Sequence, residues 1–235
     1  MNDDIAFSID PAIDPRPRIA IVRADGIETA RSEAAGPALV SLIGRVREAG
    51  EAWLRPERKA AVRDMLRHGA YKPAGRSKPS SEYLLAAALD GSFPFVNGPV
   101  DANNAASLAY GYPASIFDFG ISGGELLLKR GGAGDSYVFN PSGQEIDLED
   151  LLCVWKKEGE DWRPIGNPVK DAMTTKVFEG CGSIVAVIYA PAGREGSDLE
   201  ACAEFFASIL RDECGATRST WMLPPDPAPG PNLEG

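Results

Sequence analysis

The sequence predicts an α+β fold, and three observations carry the prediction. Helical spacings of apolar residues dominate roughly the first 110 positions. Short apolar or alternating runs, separated by Gly, Asn and Pro turns, fill the middle of the chain and predict a small antiparallel sheet system. A single strand–helix unit then closes it, without the regular strand–helix alternation of a doubly wound parallel sheet.

Taken in order, residues 1–17 carry Pro11, Pro15 and Pro17 and are expected to form an irregular arm. One domain is expected over 18–223, and the Pro-rich tail over 224–235 is expected to be disordered. A buried strand is predicted at 18–22, closed by Asp25-Gly26. Leu39, Leu42, Ile43 and Val46 predict a helix over 33–49. Pro56 opens a second helix, with Val62, Met65 and Leu66 inward and Gly69 as the stop. Ser80 or Ser81 is expected to cap an Ala/Leu-rich helix that ends at Asp90-Gly91. Another helix is predicted over 101–110, then strands at 115–119, 125–129, 136–140 and 151–155. Residues 183–190 (SIVAVIYA) form an unbroken apolar run fit for a strand covered on both faces. Leu199, Phe205, Phe206, Ile209 and Leu210 predict a last helix starting at Ser197 or Asp198, followed by an edge strand at 217–223.

Charge and cysteine usage narrow the function classes. The net charge of −10 argues against broad electrostatic adhesion to DNA or RNA. It is unevenly spread: residues 1–80 hold 14 Lys+Arg against 11 Asp+Glu, the remainder 10 against 23. Any RNA contact must therefore come from a local patch, for which Arg63, Arg67, Arg76 and Lys78 are the candidates, with Arg58, Lys59 and Lys72 nearby. The same residues equally suit a solvated helix face. Cys153, Cys181, Cys202 and Cys214 form no CxxC pair and His68 is the sole histidine, so no metal site or cofactor is expected. The cysteines read as apolar fillers in a reducing compartment. With no 18-residue apolar run and no secretory signal pattern, a cytoplasmic protein without membrane contact is expected.

The most informative stretch is VDANNAASLAYGYPASIFD at 100–118. Asp101 at a helix start can accept backbone N–H groups, and Asn104 can bridge the helix to a loop. Leu108 packs inward, Gly111 permits a left-handed cap and Pro113 fixes the exit into a strand. The spacing D-x-x-N-x-x-x-L-x-x-G-x-P-x-x-x-F-D resembles the B3/4 domain of the phenylalanyl-tRNA synthetase β subunit. KPSSEYLL at 78–85 resembles the segment that precedes this motif in free-standing B3/4 proteins. The likeness covers most of residues 72–189, about half of the chain. It implies a β-sandwich-like antiparallel sheet with helices on one side, and a trans-acting hydrolase that cleaves the ester of a mischarged aminoacyl-tRNA. The alternative is a non-catalytic binder of tRNA or of a small amino-acid-like ligand. Motifs for amino-acid activation are missing, so a complete ligase is excluded. Two positions depart from the family: Ser115 stands where the bacterial synthetase has a histidine. Val187-Ile188-Tyr189 occupy a stretch that carries a glutamate there.

The polar run 162–176 (WRPIGNPVKDAMTTK) supplies the chemistry. By the resemblance it is a glycine-bearing loop lining the pocket, with Gly166 as the match. A Gly-Asn-Pro loop exposes backbone amides and lets a substrate approach the chain closely. Lys170 suits a phosphate or a developing oxyanion. Asp171, Thr174 and Thr175 suit an α-amino group or a positioned water. The candidate catalytic residues are thus Asp171, Thr174 and Lys170, and the candidate substrate contacts are Asn104, Ser115, Phe117, Gly166, Asn167 and Thr175. The bound group is expected to be aminoacyl-tRNA or its terminal adenosine, held between this loop and the Phe117-Asp118 strand end. Ser115 lacks a nearby base, since His68 lies far off in sequence. Gly131-Gly132-Ala133-Gly134 lacks the Lys-Ser/Thr of a phosphate loop and reads as a hairpin. Glu145, Asp147, Glu149 and Asp150 lack EF-hand spacing and read as a solvated loop.

Overall fold

The computed structural model describes residues 5–29, 35–192 and 198–224. The expected helix start at Glu33, the cap at Ser197 and the tail beyond Pro224 lie outside the described residues. The architecture is α+β. Its strands are β1 (Ala6–Ile9), β2 (Arg18–Asp25), β3 (Ala114–Asp118), β4 (Glu125–Arg130), β5 (Ser136–Val138), β6 (Glu145–Asp147), β7 (Leu152–Glu158), β8 (Asp161–Gly166), β9 (Ser183–Ala190) and β10 (Arg218–Met222). Its α-helices are α1 (Pro37–Ala49), α2 (Pro56–Leu66), α3 (Ser80–Asp90), α4 (Gly98–Tyr110), α5 (Phe119–Ser122) and α6 (Asp198–Glu213).

Two four-stranded sheets, ordered β1-β4-β7-β8 and β10-β2-β9-β3, are accompanied by a two-stranded ribbon of β5 and β6. β1 runs parallel to β4, and the other ladders between these strands are antiparallel. Helix α6 packs on β2 and β10, and α4 packs on α6 and β3. Leu126, Leu128, Leu152, Val154 and Ile165 of the first sheet share one buried cluster with Ile21, Val22, Val185 and Val187 of the second. Residues 184–190 of β9 are all buried, as an apolar run without polar alternation requires. Among the described residues no helix is long and apolar enough to cross a membrane.

Three strands correct the sequence reading. The arm expected to be irregular holds β1, whose Phe7 is buried between exposed Ala6 and Ser8. Phe7 and Ile9 alternate with Ala6 and Ser8 over the shortest length that marks a strand, and the prolines that follow mask that signal. The acidic stretch expected as a solvated loop holds β6, anchored by Leu148 and Leu151, both wholly buried. A Cβ at Gly131 would overlap Leu148, so Gly131 permits this close approach. The third, β8, lies where the sequence predicts part of a loop. It is an edge strand, where Pro164 is tolerated, and its pairing with β7 shifts register between Val154 and Trp155.

The helix starts also differ. No serine caps α3: Pro79 precedes it, and the Ser80 amide donates to Pro168 O at 2.9 Å. Asn97 caps α4, its Oδ1 accepting the Val100 amide at 3.1 Å, so the helix begins three residues before the expected Asp101. Asp101 accepts the Val96 amide at 3.0 Å and, buried, has its carboxyl pushed up to about 6. Gly111 ends α4 at φ 72°, in the left-handed conformation the motif predicts.

Arg58 and Arg63 of α2, and Arg67 just after it, have partners within the structure. Arg63 grips Glu82 of α3 with Nε and Nη2, both at 2.6 Å, and Glu82 is 7% exposed. Arg67 pairs with Asp64. Arg58 pairs with Asp198, donates to Tyr110 O at 3.0 Å and lies over the Tyr112 ring. Arg63 and Arg67, expected as RNA contacts, therefore have carboxylate partners within the fold. Lys59 also reaches the Glu82 carboxylate, at 3.6 Å, so Arg63→Ala is expected to cost only about 1–2 kcal/mol in urea unfolding, as a two-pronged pair is lost from a carboxylate that keeps a second cation, and to leave RNA affinity unchanged.

Candidate functional site

A cleft of about 240 Å3 opens between α4, β3 and the loop that follows β8. The loop is built by Asn167, which is 1% exposed. Its Oδ1 accepts the Val169 amide at 2.8 Å and the Lys170 amide at 2.9 Å, an Asx turn that reverses the chain after Gly166. Its Nδ2 donates to the Tyr137 hydroxyl, which in turn donates to Lys170 O at 2.6 Å. Beneath the loop, Ser115 Oγ donates to Asn167 O at 3.2 Å and is hydrogen-bonded to the Tyr189 hydroxyl at 3.0 Å. The loop is thus held by side chains from β5 and β3, with β9 behind them.

Asp171 sits at the end of this turn. Its Oδ2 accepts the Ile116 amide at 3.1 Å, while Oδ1 is buried without a hydrogen-bond partner. Burial pushes the carboxyl up to about 7, and the nearby Ser115 hydroxyl, the Ile116 amide and the Lys176 ammonium offset this only in part. Lys170 Nζ lies 3.7 Å from the Phe139 ring centroid, and Lys176 Nζ donates to Phe139 O at 2.6 Å. Burial lowers both ammonium groups. Arg76 and Lys176 lower Lys170 further as like charges, whereas Asp171 raises Lys176. The cleft therefore brings together one acid and two amines, each shifted toward its neutral form.

Of the residues the sequence singles out, Asn104, Asn167, Lys170 and Asp171 line this cleft. Ser115 and Phe117 do not. Ala114 and Ile116 of β3 face the cleft, so the alternate residues Ser115 and Phe117 point into the core, where both are wholly buried. Gly166 is not an open loop residue: it ends β8, and a Cβ there would overlap the Phe117 ring and the Asp171 carboxylate. Its role is close packing under the site. Thr175 is buried, with Oγ1 donating to Ile165 O at 3.4 Å, and Thr174 is exposed outside the cleft lining.

Three further polar residues line the cleft. Asn103 is 5% exposed with its Oδ1 unpartnered, and Ser80 has an unpartnered buried hydroxyl. Lys176 is the third. The Asn103-Asn104 pair in an otherwise Ala-rich helix is the signal the sequence offers for the first, and nothing in it ties Ser80 to the loop. Val96 and Phe178, exposed at 45% and 55%, also line the cleft. A second cleft of about 380 Å3 shares Val169 and Lys170 with the first and is otherwise lined by Gly75, Arg76, Lys78 and Tyr83.

No protein-family model and no curated protein matches the chain. Among solved structures, an N-terminal fragment of the phenylalanyl-tRNA synthetase β subunit from Pyrococcus horikoshii is similar at 11% identity and a TM-score of 0.46. The match covers 94% of this chain and 55% of that one, so the chain spans about half the length of that fragment.

Proposed function

We propose that the chain binds the aminoacylated end of a tRNA and hydrolyses its ester in the Asp171 cleft. The observation that carries this reading is the unpartnered Oδ1 of a carboxyl titrating near 7, in a cleft also lined by Lys170 and Lys176. Oδ1 is closed off beside Gly166, so the reaction begins when opening of the Asn167 turn admits a water to it; that water gives its proton to Asp171 as it attacks the ester carbonyl. The oxyanion that forms is stabilised by the Lys176 or Lys170 ammonium. Asp171 then returns the proton to the departing ribose oxygen, which leaves a free amino acid and an intact tRNA end. An editing step of this kind has a physical rationale. A binding pocket rejects a near-isostere by only about 100-fold, so removing the wrong ester afterwards raises fidelity.

The test is deacylation of a panel of mischarged tRNAs by the purified protein. At least one is expected to be hydrolysed, at a rate that rises as pH passes through about 7, since the base must be ionised. A second reading is a non-catalytic binder of a small amino-acid-like ligand, with Asp171 facing its ammonium group. It is favoured by the tie from Asp171 Oδ2 to the β3 backbone, which gives the carboxyl a structural duty. A panel left intact by stoichiometric protein that still binds a free amino acid would select this second reading.

A further inference from the structure

We infer that the second cleft, lined by Arg76, Lys78 and Tyr83, is a subsite for one unpaired nucleotide. Its base would stack on Tyr83 and its phosphate would meet Arg76 and Lys78. The inference deepens the ester-hydrolysis reading and rests on it for which nucleotide arrives, the terminal one.

Three independent features point to this ligand. The first is charge. Among the described residues neither Arg76 nor Lys78 has a carboxylate partner within salt-bridge distance, unlike Arg58, Arg63 and Arg67 of the preceding segment. In a chain of net charge −10, two such cations beside the half-buried Lys170 form a local positive site. The second is an open aromatic face. Tyr83 is 52% exposed, in the first turn of α3, and lines the same cleft. An exposed ring beside cations is the pattern that holds single-stranded nucleic acid, where stacking accepts any base.

The third is rigidity and connection. The Tyr71 hydroxyl donates to Ser77 O at 2.6 Å, the Ser77 amide to Ala74 O at 3.0 Å and the Ser80 amide to Pro168 O at 2.9 Å. These bonds fix the segment carrying Arg76 and Lys78 against the Asn167 turn before any ligand arrives, which lowers the ordering cost of binding. Val169 and Lys170 line both clefts. A ligand whose acyl group enters the Asp171 cleft and whose nucleotide lies on Tyr83 would cross at Lys170.

The test is binding of the 5′-labelled ribotrinucleotide CCA, measured by fluorescence anisotropy over a salt series. Tyr83→Ala is expected to weaken binding about tenfold or more, and Tyr83→Phe, which keeps the ring, to stay within about twofold. The double variant Arg76→Ala/Lys78→Ala is expected to flatten the dependence of log affinity on log salt by about 0.7 for each phosphate that is no longer neutralised. No CCA binding, or binding that Tyr83→Ala leaves unchanged, would overturn the inference. Equal competition by inorganic pyrophosphate would also overturn it, because that outcome marks a plain anion site. The two readings fail separately. Deacylation without Tyr83-dependent CCA binding removes the subsite alone, whereas Tyr83-dependent CCA binding with every mischarged tRNA left intact removes the hydrolase alone.

Discussion

Asp171→Asn is expected to abolish ester hydrolysis, by about 10²–10⁴-fold, and to make the protein more stable above pH 7. The fall in rate follows from removing the base. The gain in stability follows from the environment of the carboxyl, which titrates near 7 in the folded chain. An unfolded aspartate titrates near about 3.9. Between these values the native state holds a proton that the unfolded state has released. Stability from this group is therefore greatest below about pH 4 and falls as pH climbs to about 7, by roughly 4 kcal/mol in all. Asparagine removes that dependence while its Oδ1 still accepts the Ile116 amide. Urea midpoints at pH 5 and pH 8 check this. The margin of the variant over the parent should widen from pH 5 to pH 8. Asp101, raised in the same direction, is present in both proteins and cancels in the comparison. A variant that kept full activity, or that lost stability with pH as the parent does, would remove Asp171 from the mechanism.

Phe117→Ala is expected to cost about 3–5 kcal/mol, among the larger single losses in this fold. The ring is wholly buried on β3 and packs over Gly166, so its removal leaves a cavity between the two sheets' shared core and the Asp171 turn. The conservative Phe117→Leu is expected to cost only about 1–2 kcal/mol and to keep the parent's deacylation rate. A residue that touches substrate would behave in the opposite way, with the leucine variant stable and its substrate affinity altered. Thermal unfolding read beside the deacylation rate tells the two apart.

Which parts of the molecule are legible in the sequence follows from how each signal is made. Helices α1, α2 and α6 each span enough turns for their apolar spacing to show, and Pro56 and Gly111 mark ends where predicted. β9 is unbroken and apolar, so it reads as a doubly covered strand. β1, β6 and β8 are three to six residues of mixed polarity, and Pro164 argues against a strand unless β8 is known to be an edge. Within the site, Asn167, Lys170 and Asp171 are legible because they are nearly consecutive. Asn103 is marked only as one of a pair of asparagines in an Ala-rich helix, and Ser80 not at all, because both reach the cleft from helices placed there by packing.

The chain by itself determined its fold class, its positive first third and the polar turn that carries Asp171. Those properties are local: they depend on periodicity, on turn residues and on counting charges. Only the tertiary structure decided that Ile116 and not Phe117 faces the cleft, since a strand alternates its side chains and a one-residue difference reverses them. It also decided that Arg63 is held by Glu82 while Arg76 and Lys78 line a cleft with no carboxylate within ion-pair distance among the described residues. Burial, which no sequence position states, is what lifts Asp171 to the pH where an acid and a base are the same group.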